Sequence, residues 1–233
     1  MPSVPDQELR FDSIEDSIEA FRNGEFIIVL DSQDRENEGD LIIAAECMTD
    51  SKMAFMVRYS SGIICAPILP DLATRLELPQ MVTHNTDPNH TAYTITIDSN
   101  DPTITTGISA HDRALTCRML AKPGIQPTSF RRPGHILPLT AKPGGVRQRR
   151  GHTEAAVDFC RLAGKVQAGV ISELVEDGEE IEGVAERPAS GMMRSDGCLK
   201  FGQKWGLKVC TIEDLVAYLE RTEGRLAVVN GKH

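Results

Sequence analysis

Six short apolar, β-branched runs punctuate this chain of 233 residues, and segments with helical spacing separate them. The runs lie at 25–31, 41–46, 62–68, 91–98, 134–139 and 166–174. Such alternation calls for a sheet covered by helices. The first two runs are close enough for a hairpin, which argues for a mixed sheet over a purely parallel one. Helix starts are marked by short hydroxyl side chains. Ser13, with Asp16 three residues on, precedes Ile14, Ile18 and Phe21 at helical spacing, and Gly24 supplies a stop. Thr49 or Asp50 opens a helix through Met53, Met56 and Val57, and 71–78 reads as a helix stopped by Pro79. Ser109 caps one carrying Leu115 and Met119, another runs from Thr153, and Thr211 caps the last through Ile212, Leu215, Val216 and Leu219. No repeat or linker divides the chain, so a single mixed domain over 1–233 is the economical expectation.

The longest apolar stretches, 26–30, 41–45 and 62–69, fall far short of the ~18 residues a membrane span needs. The start of the chain shows no basic leader followed by an apolar core. Lysine and arginine number 25 against 34 aspartates and glutamates, a net charge of −9, which disfavours a nucleic-acid or anionic-membrane surface. The six cysteines are widely spaced with no C-x-x-C pair, so they read as reduced thiols of a cytoplasmic protein.

Three segments carry groups able to do chemistry. The first is the acidic loop 32–40, in which Glu36, Glu38 and Asp40 stand at i, i+2 and i+4. An extended backbone points all three to one side, where their repulsion is relieved by a proton or by a hard cation such as Mg²⁺, Mn²⁺ or Ca²⁺. A solvated acidic turn is the competing reading. An EF-hand is excluded because Ala45 falls where its bidentate glutamate belongs.

The second is the Gly-rich basic loop 142–151, leading through Arg149, Arg150, Gly151 and His152 into the helix at Thr153. Free N–H groups and guanidinium forks suit phosphate. The third, around Thr106 and Ser109, offers hydroxyls at another helix start, although capping alone explains Ser109. No P-loop or dinucleotide fingerprint is present. His135 and Glu173 are polar residues in apolar segments, either satisfied in the core or available for acid–base work. Cys65 reads slightly better as a small buried hydrophobe than as a reactive thiol.

Five motifs appear in order: Asp34-Arg35-Glu36-Asn37-Glu38-Gly39-Asp40, Ser60-Ser61-Gly62-Ile63-Ile64-Cys65-Ala66-Pro67, Thr106-Gly107-Ile108-Ser109-Ala110-His111-Asp112-Arg113, Arg132-Pro133-Gly134-His135-Ile136-Leu137-Pro138-Leu139 and Arg149-Arg150-Gly151-His152-Thr153-Glu154. Together they resemble the 3,4-dihydroxy-2-butanone 4-phosphate synthase family in its monofunctional form, from about residue 13 to 219. The resemblance implies an α+β fold, three layers in α-β-α order with a mixed twisted sheet. It implies a Mg²⁺-dependent lyase of riboflavin biosynthesis that converts D-ribulose 5-phosphate to formate and L-3,4-dihydroxy-2-butanone 4-phosphate, with Mn²⁺ able to substitute.

It implies a homodimer with sites near the interface. Glu36 and His152 resemble the metal ligands. His135 and Glu173 resemble positions essential for catalysis, and Glu38 and Asp40 stand beside them as further acid–base candidates. Arg35, Glu36, Asp40, Glu173 and the run Arg149, Arg150, Gly151, His152 and Thr153 resemble substrate-binding positions, to which Thr106 and Ser109 are added for phosphate. Either Arg149 or Arg150 can be the phosphate fork.

Overall fold

A computed structural model describes residues 10–226 of the protein. The start of the chain, read above as free of a leader pattern, lies outside them. The order is α1 (Ile14–Arg22), β1 (Ile27–Leu30), β2 (Gly39–Ala44), α2 (Asp50–Ser60), β3 (Cys65–Ile68), α3 (Pro70–Arg75), β4 (Ile97–Ser99) and α4 (Ala110–Leu120). Then come β5 (Phe130–Thr140), α5 (His152–Leu162), β6 (Gly169–Glu173), β7 (Val175–Glu176), β8 (Gly191–Met192), α6 (Ser195–Trp205), β9 (Lys208–Thr211) and α7 (Ile212–Glu223). The expected caps are in place: the hydroxyls of Ser13, Thr49, Ser109 and Thr211 each accept an N–H from the first turn of α1, α2, α4 and α7.

The main sheet has seven strands in the order β4-β5-β3-β6-β2-β1-β9. β1 pairs antiparallel with β2 and parallel with β9, and β3 pairs parallel with β5 but antiparallel with β6, so the sheet is mixed, as expected. Strand alternation divides the core. Ile28, Leu30, Leu41 and Ile43 pack on one face with Met53, Met56, Cys117 and Leu199 of α2, α4 and α6. Ile27, Val29 and Ile42 pack on the other with Phe21, Phe159 and Leu215 of α1, α5 and α7. This is the three-layer α-β-α arrangement. No helix among the described residues is long and apolar enough to cross a membrane.

Several expected boundaries move, and two of the shifts shape the site. β2 begins at Gly39, so Asp40 belongs to the sheet and not to the acidic loop. The loop itself is not extended: Arg35 and Asn37 both donate N–H to Ser32 O, and Asn37 turns the chain at φ 54°. Elsewhere, the alternating run 91–98 enters a regular ladder only at Ile97. Its neighbour there is Pro138 of β5, which offers a carbonyl to Thr94 but has no N–H to return. Before β3, Ile63 N–H is taken by a side chain and not by a strand. Helix α3 ends at Arg75, short of Pro79, with Glu77 left-handed at φ 54°.

Candidate functional site

The hairpin of β1 and β2, the end of β6 and the start of α5 meet at one pocket. Its walls are Arg35, Glu36, Glu38, Asp40, Cys65, Thr91, Tyr93, Leu139, Arg149, His152, Thr153, Ile171 and Glu173. Sheet register explains the central pair. Asp40 of β2 lies directly across from Glu173 of β6. Glu173 is pinned by the N–H of Ile63, which donates to Oε2 at 3.0 Å. Gly62 makes that approach possible, because a Cβ there would lie 2.6 Å from the same oxygen.

The acidic loop is folded around Asp31. Its carboxylate accepts the N–H groups of Glu36 at 3.1 Å and Glu38 at 2.9 Å, and Arg35 Nη1 at 2.7 Å. Arg35 also pairs with Glu36. Glu36 Oε1 accepts from Asn89 Nδ2 at 2.6 Å, and its Oε2 lies 3.9 Å from His152 Nδ1. His152 Nδ1 stands 3.5 Å from Asp40 Oδ1. Asp31, Glu36 and His152 each bring a ligand-type atom to within 4.8 Å of the others. Burial disfavours the charged forms of Asp40, Glu38 and His152. The Asp40 carboxyl is raised well above its usual value by burial first, then by Glu173, Glu36, Glu38 and Asp31. Glu38 is raised by burial and by Glu36. Burial lowers His152 to about 4, so its imidazole is neutral at pH 7.

Two buried atoms here, Asp40 Oδ1 and His152 Nε2, have no hydrogen-bond partner among the described residues. Orphaned buried polar atoms are costly, and a cation with its waters is what carboxylate oxygens and a neutral imidazole accept. The donor set therefore fits a hard divalent cation.

The adjoining wall is built for an anion. Gly151 caps α5 without a side-chain hydrogen bond, so among the described residues no cap side chain takes up the first-turn N–H groups. Arg149 is held in place: Nη1 donates to the buried Glu154 at 2.7 Å, Nη2 to Thr91 Oγ1 at 3.0 Å, and Nε and Nη2 to Asn89 O at 3.2 Å. Arg150 is exposed and outside the pocket.

Thr106, Ser109 and His135 do not join this pocket within the one chain. His135 belongs to a second cluster, with Asp98 of β4 and Gly107. His135 Nδ1 lies 2.8 Å from Asp98 Oδ2, and its N–H donates to Asp98 Oδ1 at 2.8 Å. Gly107 is packed over both, since a Cβ there would lie 2.5 Å from His135 Nδ1. Ser109 Oγ is occupied with capping, and Thr106 is exposed. Cys65 is buried, and burial raises its thiol well above the usual range, which favours the packing reading.

Sequence reasoning passed over Tyr93, whose hydroxyl burial pushes to about 12, and the organising roles of Asp31, Asn89 and Thr91. Tyr93 carried a signal only as one apolar residue of an alternating run.

The model of the 3,4-dihydroxy-2-butanone 4-phosphate synthase family matches residues 15–218. The chain belongs to that family. It is 63% identical over 224 residues to the 3,4-dihydroxy-2-butanone 4-phosphate synthase of Pyricularia oryzae, covering 96% of this chain and 95% of that one. It is 49% identical to that of Saccharomyces cerevisiae, covering 91% of this chain and 100% of the yeast protein. A crystal structure of a 3,4-dihydroxy-2-butanone 4-phosphate synthase in complex with two magnesium ions superposes with a TM-score of 0.91 at 64% identity, over 93% of this chain and 100% of the other. Membership makes the chain an enzyme, a lyase of riboflavin biosynthesis.

Proposed function

We propose that this chain, as a single domain over 1–233, converts D-ribulose 5-phosphate to L-3,4-dihydroxy-2-butanone 4-phosphate and formate. The observation that carries the reading is the meeting of a cation-type donor set with an anion-type helix start in one pocket. Mg²⁺ is the cofactor, with Mn²⁺ able to substitute, and Glu36 and His152 hold it. Two points support this: the hard-oxygen donors beside a neutral imidazole, and the two magnesium ions in the similar crystal structure. Bound there, the metal supplies Lewis acidity to the ketone and hydroxyl oxygens of the sugar.

The protein side chains do the rest. Arg149, Gly151 and Thr153 with the α5 N-terminus bind the phosphate, and Arg35 orients the sugar hydroxyls. Arg149 is the better fork of the two arginines because it lines the pocket and is already oriented. Glu38, Asp40 and Glu173 exchange protons with substrate. Removal of a C–H proton beside the ketone and loss of the carbon 1 hydroxyl as water need one base and one acid. Asp40, with its raised proton affinity, is the carboxyl suited to hold a proton. A skeletal shift then joins carbons 3 and 5. One water returns as carbon 4 departs as formate, so the elements of substrate are conserved in the two products.

The protein acts as a cytoplasmic homodimer with sites near the interface. Ile63 and Ile108 are 59% and 52% exposed beside Glu173 and the Gly107–His135 cluster, an apolar margin suited to a second copy. Docking there brings His135 and Thr106 toward a pocket they do not reach within one chain. Ribulose 5-phosphate labelled at carbon 4 tests the reaction. One labelled formate per substrate, lost in EDTA and restored by Mg²⁺, is expected; label kept in a five-carbon product points to a simple isomerase.

A further inference from the structure

The acidic loop is held from two sides. Asp31 holds it from within, through the N–H groups of Glu36 and Glu38. From outside, the carbonyl oxygens of Glu36 and Asn37 both accept from Nη1 of Arg194, each at 2.7 Å. The partners lie 157 and 158 residues apart in sequence, so the contact depends on the tertiary fold. Arg194 is the N-cap of α6. The preceding residues pair as β8 with β7, and Met193 donates its N–H to Leu174 O at 3.0 Å, directly beyond Glu173. Behind the loop, α6 is packed so closely that a Cβ on Gly39 would lie 2.5 Å from Cys198 Sγ. Arg194 thus ties the strand end bearing Glu173 to the turn bearing Glu36.

We propose that Arg194 is a positioning residue for the metal centre: by gripping the Glu36 and Asn37 carbonyls it holds the loop where the Glu36 carboxylate faces His152. The inference rests on the reading of Glu36 and His152 as metal ligands. Asn37 turns the chain at φ 54°, a left-handed backbone that asparagine tolerates, and the Arg194 contacts to the Glu36 and Asn37 carbonyls hold that turn against the scaffold. Electrostatics gives the test its sign. Arg194 Nη1 is also 3.9 Å from Glu38, so removing its charge makes the acid cluster more negative and by Coulomb attraction alone should tighten cation binding. A positioning role predicts the reverse.

The experiment is Mn²⁺ titration by electron paramagnetic resonance without substrate, on wild type, Arg194→Met, Arg194→Lys and Glu36→Gln, with amide exchange over residues 32–40. Arg194→Met should bind Mn²⁺ about tenfold or more weakly, the usual loss when support of a ligand is removed. Its loop amides should exchange faster. Arg194→Lys, whose ammonium can still serve a carbonyl, should recover part of both. At saturating Mg²⁺ the kcat of Arg194→Met should stay within a few fold of wild type. Unchanged or tighter Mn²⁺ binding by Arg194→Met, with Glu36→Gln impaired, overturns the proposal alone. Wild-type binding by both variants overturns the metal reading beneath it.

Discussion

Asp40 shows how one residue trades stability for chemistry. It is buried, faces Glu173 across the sheet, and has an oxygen without a partner. Its folded proton affinity is raised, so the folded protein holds a proton that the unfolded chain releases at the ordinary value near 3.9. Stability is therefore lost as pH rises above about 4. His152 acts in the opposite sense: lowered to about 4, it makes the fold lose stability as pH falls from about 6.5. Asp40→Asn should stabilise the metal-free protein by on the order of 1 kcal/mol at pH 8 and by less at pH 5, while removing turnover. Calorimetry in EDTA at the two pH values checks this. A variant less stable at pH 8 would mean that the Asp40 charge is compensated after all.

At the scale of the element, the start of α5 joins backbone and side chain into one anion site. Gly151 is needed there for space and not for conformation, since its φ of −119° suits any residue. A Cβ at 151 would lie 2.2 Å from Arg149 Nη1 and 2.9 Å from Glu154 Oε2. Gly151→Ala should therefore push the Arg149 fork aside, at the flexible end of its side chain, without unfolding the helix. The expected result is a KM for the sugar phosphate raised about tenfold, kcat within a few fold, and a melting temperature within a few degrees. One charge-assisted contact to an anion is worth about 1.5–3 kcal/mol, the scale of that change. A wild-type KM would show that Arg149 is not the fork. The helix itself was legible from sequence because its start follows a Gly-rich loop and Ala156, Val157 and Cys160 repeat at helical spacing. Helix α6 was not, because Gly197 and Gly202 interrupt its apolar face even though Cys198, Leu199 and Trp205 follow one stripe.

Across the whole molecule the sheet separates two cores, and the one beneath the site centres on Phe159 and Phe21, whose rings lie 5.8 Å apart. Phe159→Ala removes a fully buried ring from α5, the helix that starts the anion site, and should cost about 3–5 kcal/mol in urea unfolding. A loss below ~1 kcal/mol would mean that α1 and α5 collapse into the space. The caps, the hairpin of β1 and β2, the alternation of apolar runs with helical segments, and the two charged segments of opposite sign are all readable from residue order. All of these arise from contacts within a few residues, where spacing and residue type are sufficient physics. That Asp40 is a strand residue facing Glu173, that Arg149 and not Arg150 lines the pocket, and that Asn89, Tyr93 and Arg194 surround the acidic loop emerges only in the folded chain. Those neighbours are set by a strand order in which β6 inserts between β3 and β2, so groups distant along the chain meet through crossovers that no local spacing encodes.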